Sequence, residues 1–229
     1  MPTQSQPADQ ALTVLRARVA QAALAAGREP GSVTLLAVSK GQPVSRIAAL
    51  AAQGQRDFGE NYIQEALPKM AALAELGLNW HFIGRLQANK TRDVAEHFAW
   101  IHSVDRLRVA ERLSAQRPAH LPPLQCLIEL NADAESSKGG VDTGTVAELV
   151  AAVRTLPGLV LRGFMTMPAP REDPVAQRAV FRRVREAVAP WMPPFDTLSM
   201  GTSGDFEAAI AEGSTVVRVG TAVFGPRQR

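Results

Sequence analysis

The sequence predicts one α/β domain over residues 1–229, a single (β/α)8 barrel of the TIM type with an extra N-terminal helix and no second domain. Three observations predict it. Apolar periodicity switches repeatedly between short strand-type runs and longer helical ones. Eight strand-type runs occur, the number that closes a parallel sheet. The length, 229 residues, is near the ~250 typical of that barrel. Strands that alternate with helices pair in parallel through right-handed crossovers. An open doubly wound sheet is the main rival. It usually carries a glycine-rich turn after its first strand, and "SKGQP" (39–43) is not one.

The opening helix is "ALTVLRARVAQAALAAG" (11–27), ended by Gly27. The first strand, "VTLLAVS" (33–39), leads directly into Lys40; alternation puts Thr34, Leu36, Val38 and Lys40 on one face. Strands follow at 56–60, 80–84, 100–104, 125–131, 161–167, 197–201 and 216–225. Helices begin near Val44, Tyr62, Ala88, Asp105, Thr145, Val175 and Ser203. Asp105 is placed to cap its helix, and Thr145 with Glu148 to form a capping box.

Composition excludes several classes of function. Hydrophobic residues make up 46% and charged residues 21%, as in soluble globular proteins. No apolar run approaches the ~20 residues of a membrane span. The start, "MPTQSQPADQ", has neither the basic end nor the apolar core of a secretory signal. The lone cysteine, Cys126, cannot form an internal disulfide and reads as a buried core thiol, so a cytoplasmic location is expected. The net charge is +3 with both signs mixed. In "FRRVREAV" (181–188), Val180, Phe181, Val184 and Val188 recur at helical spacing, so the arginines form a solvated face. No aromatic and basic residues interleave as RNA recognition requires, and no nucleic-acid partner is expected. His81, His97, His102 and His120 lack the paired spacing of a zinc site, so no metal is expected. "GxSxG", "GxxxxGK" and "HExxH" are absent.

Four of the 25 basic residues are lysines: Lys40, Lys69, Lys90 and Lys138. Barrel chemistry sits at the C-terminal ends of the strands, where Lys40 falls. An amine at the rim of an apolar interior loses solvation, which lowers its pKa and frees it to attack a carbonyl; the alternative is a lysine that snorkels to water. In "SMGTSGDFEAAI" (199–210), Ser203 and Gly204 stand at a helix start, whose N–H groups and dipole suit a phosphate. Gly220 and Thr221 end the eighth strand, and barrel phosphate sites are often built after strands seven and eight. Each loop alone reads better as an ordinary turn; together they favour phosphate. The Asp205 carboxylate must then point away from the anion. Arg218 shares a face with Val216 and Gly220 and needs an acceptor inside the barrel, either a ligand or a carboxylate such as Glu60. An amine, a phosphate cradle and an arginine for a ring nitrogen are the anchors of pyridoxal 5′-phosphate.

The blocks "LLAVSK", "FGENYIQEA", "WHFIGRLQANK", "IHSVDRLR", "LRGFMTMPAP" and "LSMGTSGDFEAAIAEGSTVVRVGTAVFG" together resemble the pyridoxal-phosphate homeostasis protein family, also described as proline synthetase co-transcribed homologues. The likeness covers nearly the whole chain in order. It implies a barrel like the N-terminal domain of alanine racemase, the type III fold of pyridoxal-phosphate enzymes. It also implies an aldimine between pyridoxal phosphate and Lys40, phosphate contacts from Ser203, Gly220 and Thr221, and Arg218 facing the ring nitrogen. Asn61 and His81 match blocks around the pocket, and Lys138 is a minor candidate for a second acceptor. Gly41 and Thr202 depart from the family's usual threonine and methionine.

The function implied is holding and delivering the cofactor, with apo-enzymes as recipients of pyridoxal phosphate and other B6 vitamers, in a monomer without catalytic residues. Racemisation needs a second base. The single tyrosine, Tyr62, reads as a packing residue. The main alternative is a racemase or decarboxylase of the alanine racemase type; a Schiff-base aldolase, which would purify colourless, is the third reading.

Overall fold

A computed structural model describes residues 8–133, 139–142 and 144–225. The chain runs α1 (Ala8–Ala25), β1 (Thr34–Val38), α2 (Val44–Ala52), β2 (Asp57–Glu60), α3 (Ile63–Ala72) and β3 (Asn79–Phe82). It continues through α4 (Thr91–His97), β4 (Trp100–Val104), α5 (Leu107–Gln116), β5 (Leu124–Leu130) and α6 (Val146–Val153). It ends with β6 (Leu159–Thr166), α7 (Pro174–Val188), β7 (Thr197–Ser199), α8 (Phe206–Ala211), β8 (Val216–Val219) and α9 (Thr221–Phe224). The eight strands pair in parallel in chain order, and β1 closes on β8 with Leu36 opposite Arg218. The expected barrel is present.

Alternation along each strand divides the side chains between two cores. One set faces outward: Phe58 and Trp80 meet at 5.8 Å between ring centroids, and Phe82 and Phe98 at 5.4 Å. These pack beneath helix stripes such as Val180, Phe181, Val184 and Val188 of α7, all buried as the spacing predicted. Cys126 belongs to this shell, and burial pushes its thiol up to about 12. The other set faces the barrel axis; Leu36, Leu127, Met165 and Val216 are buried there, apart from the shell. Helix α1 packs on α2, α8 and α9, across the β1–β8 seam, through Leu12, Leu15, Val19 and Ala23.

Boundaries differ from expectation where local signals compete. The last strand stops at Val219 and the chain turns into helix at Thr221. The apolar "TAVF" run is a helix face, and a short apolar run does not separate helix from strand by periodicity. Neither Asp105 nor Thr145 caps through its side chain. Asp105 pairs with Arg106 at 2.6 Å, and the Thr145 hydroxyl donates to the Asp142 carbonyl at 3.2 Å. Among the described residues, Asp173 is a side-chain cap that forms, accepting from the N–H groups of Val175 and Ala176 at the start of α7. Tyr62 stands at the start of α3 but is 61% exposed rather than packed. No helix among the described residues is long and apolar enough to cross a membrane.

Candidate functional site

A cavity of about 770 Å³ opens at the C-terminal ends of the strands. Lys40, Asn61, Ser203, Arg218, Gly220 and Thr221 all line it. Residues 180 positions apart in sequence thus converge because β1 and β8 are neighbours in the closed sheet.

Lys40 sits on a tight turn two residues past β1, where the Gln42 N–H donates to the Ser39 carbonyl at 3.0 Å. Gly41 takes φ +72°, a left-handed conformation that a β-branched threonine adopts only with strain. Both peptides flanking Lys40 are held by α3: the Lys69 ammonium donates to the Ser39 carbonyl at 2.8 Å, and the Gly41 N–H donates to Glu65. Lys69 also pairs with Glu60 at 2.8 Å, in a cluster where both side chains are buried. Burial raises the Glu60 carboxyl above its ordinary value, against the hydrogen bonds from Lys69 and Ser39. Helical spacing reveals only the pairing of Lys69 with Glu65, four residues back on α3; Ser39, just past β1, and Glu60, on β2, become partners only in the fold.

Arg218 is 5% exposed. One terminal nitrogen donates to the carbonyl and the hydroxyl of Ser199, each at 2.7 Å; the other donates to the Thr166 carbonyl at 2.8 Å. Burial pushes its pKa down to about 10, so the guanidinium stays charged at neutral pH. Glu60, the carboxylate considered for it, is engaged by Lys69 and Ser39 instead. Five N–H bonds on a guanidinium against these three contacts leave Nε–H and one terminal N–H without an acceptor among the described residues.

The Asn61 side-chain oxygen is buried with no partner among the described residues. Its backbone lies so close to Gly84 that a Cβ there would fall 2.1 Å from the Asn61 carbonyl oxygen. Across the cavity, the Ser203 and Gly204 N–H groups meet no acceptor among the described residues. Asp205 turns back on its own loop, accepting from the Thr202 N–H at 2.6 Å and hydroxyl at 2.9 Å. Its carboxylate is thereby occupied, as a neighbouring anion would require.

Some wall residues were not anticipated. Glu129, on the inner face of β5, lines the cavity; burial and the Asp105 charge raise its carboxyl above the ordinary value, against Arg218 and Arg85. Asp133 also lines it and pairs with Arg171 at 2.5 Å. Alternation in "CLIELN" places Glu129 inward with Leu127, a signal that was available. His81, expected around the pocket, is not on its wall. It lies within the barrel against His102, Nδ1 to Nε2 at 3.0 Å. Histidines scattered in sequence are thus paired in space, yet no group suited to a metal occurs among the described residues. Lys138 lies outside the described residues.

The family model for alanine racemase, N-terminal domain, matches residues 12–228. A pyridoxal phosphate homeostasis protein of Pseudomonas aeruginosa is 56% identical over 211 residues, covering 92% of each chain. The chain belongs to the pyridoxal phosphate homeostasis protein family. Another member of this family, from Escherichia coli K12, is 53% identical over 94% of this chain and 95% of its own. Among solved structures, PipY of Synechococcus elongatus PCC7942 with PLP bound superposes with a TM-score of 0.84. It is 35% identical, and the match covers 96% of this chain and all of PipY.

Proposed function

We propose that this chain holds pyridoxal 5′-phosphate in the barrel-mouth cavity and passes it to apo-enzymes, with no reaction of its own. The observation that carries this reading is the convergence of one amine, one buried arginine and two anion-suited loops on a single cavity. The orphaned Asn61 oxygen and the unused Arg218 N–H bonds are groups that a polar ring would satisfy. The PLP-bound PipY structure and the names of the curated relatives support the same ligand.

When bound, pyridoxal phosphate supplies an aldehyde that condenses reversibly with amines. Lys40 offers the amine, fixed from both sides by α3. The Ser203–Gly204 loop and the Gly220–Thr221 turn offer N–H and hydroxyl donors to the phosphate. Arg218, a permanent donor, would keep a ring nitrogen bound beside it unprotonated and so would weaken the ring as an electron sink. Tyr62 is exposed and off the wall, so it offers no second base there. Holding without turnover follows from these two features. The closed barrel has no free sheet edge to pair with another chain, which supports a monomer, and the single cysteine supports a cytoplasmic setting.

The purified protein should be yellow, and borohydride should bleach it while adding a pyridoxyl-phosphate mass to the Lys40 peptide. A colourless protein that takes up no pyridoxal phosphate overturns the ligand. Turnover of D- or L-alanine at ordinary enzymatic rates, abolished in Lys40→Ala, overturns the carrier reading. Glu129→Gln would then identify the cavity base.

A further inference from the structure

A line of polar side chains runs through the barrel from its closed end to the cavity. Asp57 begins β2, with its side chain 27% exposed. Its Oδ1 lies 3.2 Å from His81 Nε2. His81 Nδ1 lies 3.0 Å from His102 Nε2, and His102 Nδ1 lies 3.1 Å from the Ser199 hydroxyl. That hydroxyl receives Arg218 at 2.7 Å. Both imidazoles are buried, and Trp100 stacks on His81 at 5.3 Å with 6° between the planes. The His81 ring is therefore held in plane as well as in position, and His102 meets both His81 and Trp100 edge-on.

Donor chemistry permits one direction along this line. A carboxylate only accepts, so His81 carries its proton on Nε2 and presents a lone pair at Nδ1. His102 must then donate from Nε2, which leaves its own Nδ1 as an acceptor. Ser199 donates there and accepts from Arg218, which can only donate. Every bond points from guanidinium to carboxylate. Reversal would require a protonated Asp57, yet its carboxyl sits below its ordinary value: burial raises it, and the His81 and Asn79 contacts outweigh that. A positively charged His81 or His102 would also break the line, and burial lowers both, with His102 well below its usual value.

We propose that Asp57, His81, His102 and Ser199 form one directed hydrogen-bond chain that fixes the Arg218 guanidinium in the cavity, making Asp57 a positioning residue at the opposite end of the barrel. Its bearing on the ligand rests on the reading that Arg218 meets the ring nitrogen of pyridoxal phosphate. Chains of aligned hydrogen bonds polarise one another in a low-dielectric interior, so the arginine feels a carboxylate it does not touch. The tautomers of both histidines are set by a group that neither Arg218 nor the ligand contacts.

Nitrogen-15 NMR of the ligand-free protein at neutral pH tests the chain without the cofactor. His81 and His102 should each appear as a single Nε2–H tautomer. Asp57→Ala removes the terminal acceptor and should populate Nδ1–H at both rings. Asp57→Asn, whose amide oxygen still accepts, should restore the wild-type pattern. In titrations with pyridoxal phosphate, Asp57→Ala should weaken binding about fivefold to tenfold, the scale of one hydrogen bond, and Asp57→Asn should recover most of it. An Nδ1–H His102 in the wild type overturns the chain, as does an Asp57→Ala protein with unchanged tautomers and affinity. If Asp57→Ala does not fold, the wild-type tautomers decide. Expected tautomers in a wild type that binds no pyridoxal phosphate would overturn the ligand reading, and with it the role of Asp57 in binding, while leaving the chain itself in place.

Discussion

The two faces of the same eight strands carry different chemistry. Outward, toward the helices, side chains are apolar and close-packed: Phe58 and Phe82 of the strands and Phe98 and Phe181 of the layer around them are almost wholly buried. Inward, the column holds Asp57, His81, His102, Ser199 and Arg218 among a few aliphatics. The shell is non-directional: many residue sets of similar volume would fill it. The column is directional, since each hydrogen bond in it needs its donor on one side and its acceptor on the other. Stability thus resides mainly in the shell, while the inner column sets the site's electrostatics.

Phe181→Ala would test that division most severely. Loss of this buried ring should lower the unfolding free energy by about 3–5 kcal/mol, measured by urea denaturation. Borohydride-trapped pyridoxal phosphate per folded molecule should stay unchanged at low temperature. A site lost in step with stability would mean that shell and column are one cooperative unit.

Lys69 stands at the seam between the two regions. Lys69→Met leaves the buried Glu60 without its cation, which should cost about 3–5 kcal/mol. Adding Glu60→Gln should recover much of that stability, because the uncompensated charge goes. The Ser39 side of Lys40 remains unpinned in the double variant, while the Gly41 N–H keeps Glu65, so trapping on Lys40 should stay slower than in the wild type. Equal trapping rates would confine Lys69 to stability.

Acid separates the regions more finely. His81 and His102 are neutral in the fold, with pKa values below the ordinary 6.5. Below pH 6.5 the unfolded chain takes protons that the folded chain refuses, so stability should fall as pH drops, by up to about 1.4 kcal/mol per unit per histidine. Beneath the outer arginines of α7, burial raises the Glu212 carboxyl, but Arg182 and Arg178 outweigh it and hold it below its ordinary 4.5. Its contribution is complete above pH 4.5 and is lost as pH falls through the folded value. These arginines are half exposed, so Glu212→Gln should cost only about 1 kcal/mol. Denaturation midpoints at pH 7, 5.5 and 4 should show the histidine limb first. A shallower limb in His102→Leu, with only the His81 contribution left and the Glu212 limb intact, would assign the two windows.

Much of the fold was legible because burial imposes a period. The strand runs, the α7 stripe at Val180, Phe181, Val184 and Val188, and the position of Lys40 all follow from alternation or helical spacing. Misread features were those where a polar side chain had several local options. Thr145 bonds to Asp142 rather than capping its helix, and "TAVF" reads equally as strand or helix. Tyr62 was assigned to packing for want of another role, and its exposure depends on where α3 begins.

By itself, the sequence determined the barrel, the amine at the end of its first strand and the two anion-suited loops, because each is written in contiguous residues. Only the tertiary structure decided which groups finish the site. Lys69 beneath Lys40, Glu129 on the wall and the histidine pair behind Arg218 come from elements far apart in the chain, and closing a sheet is what makes such elements neighbours. Hydrogen-bond direction has no sequence period; it exists only once donor and acceptor face each other in space.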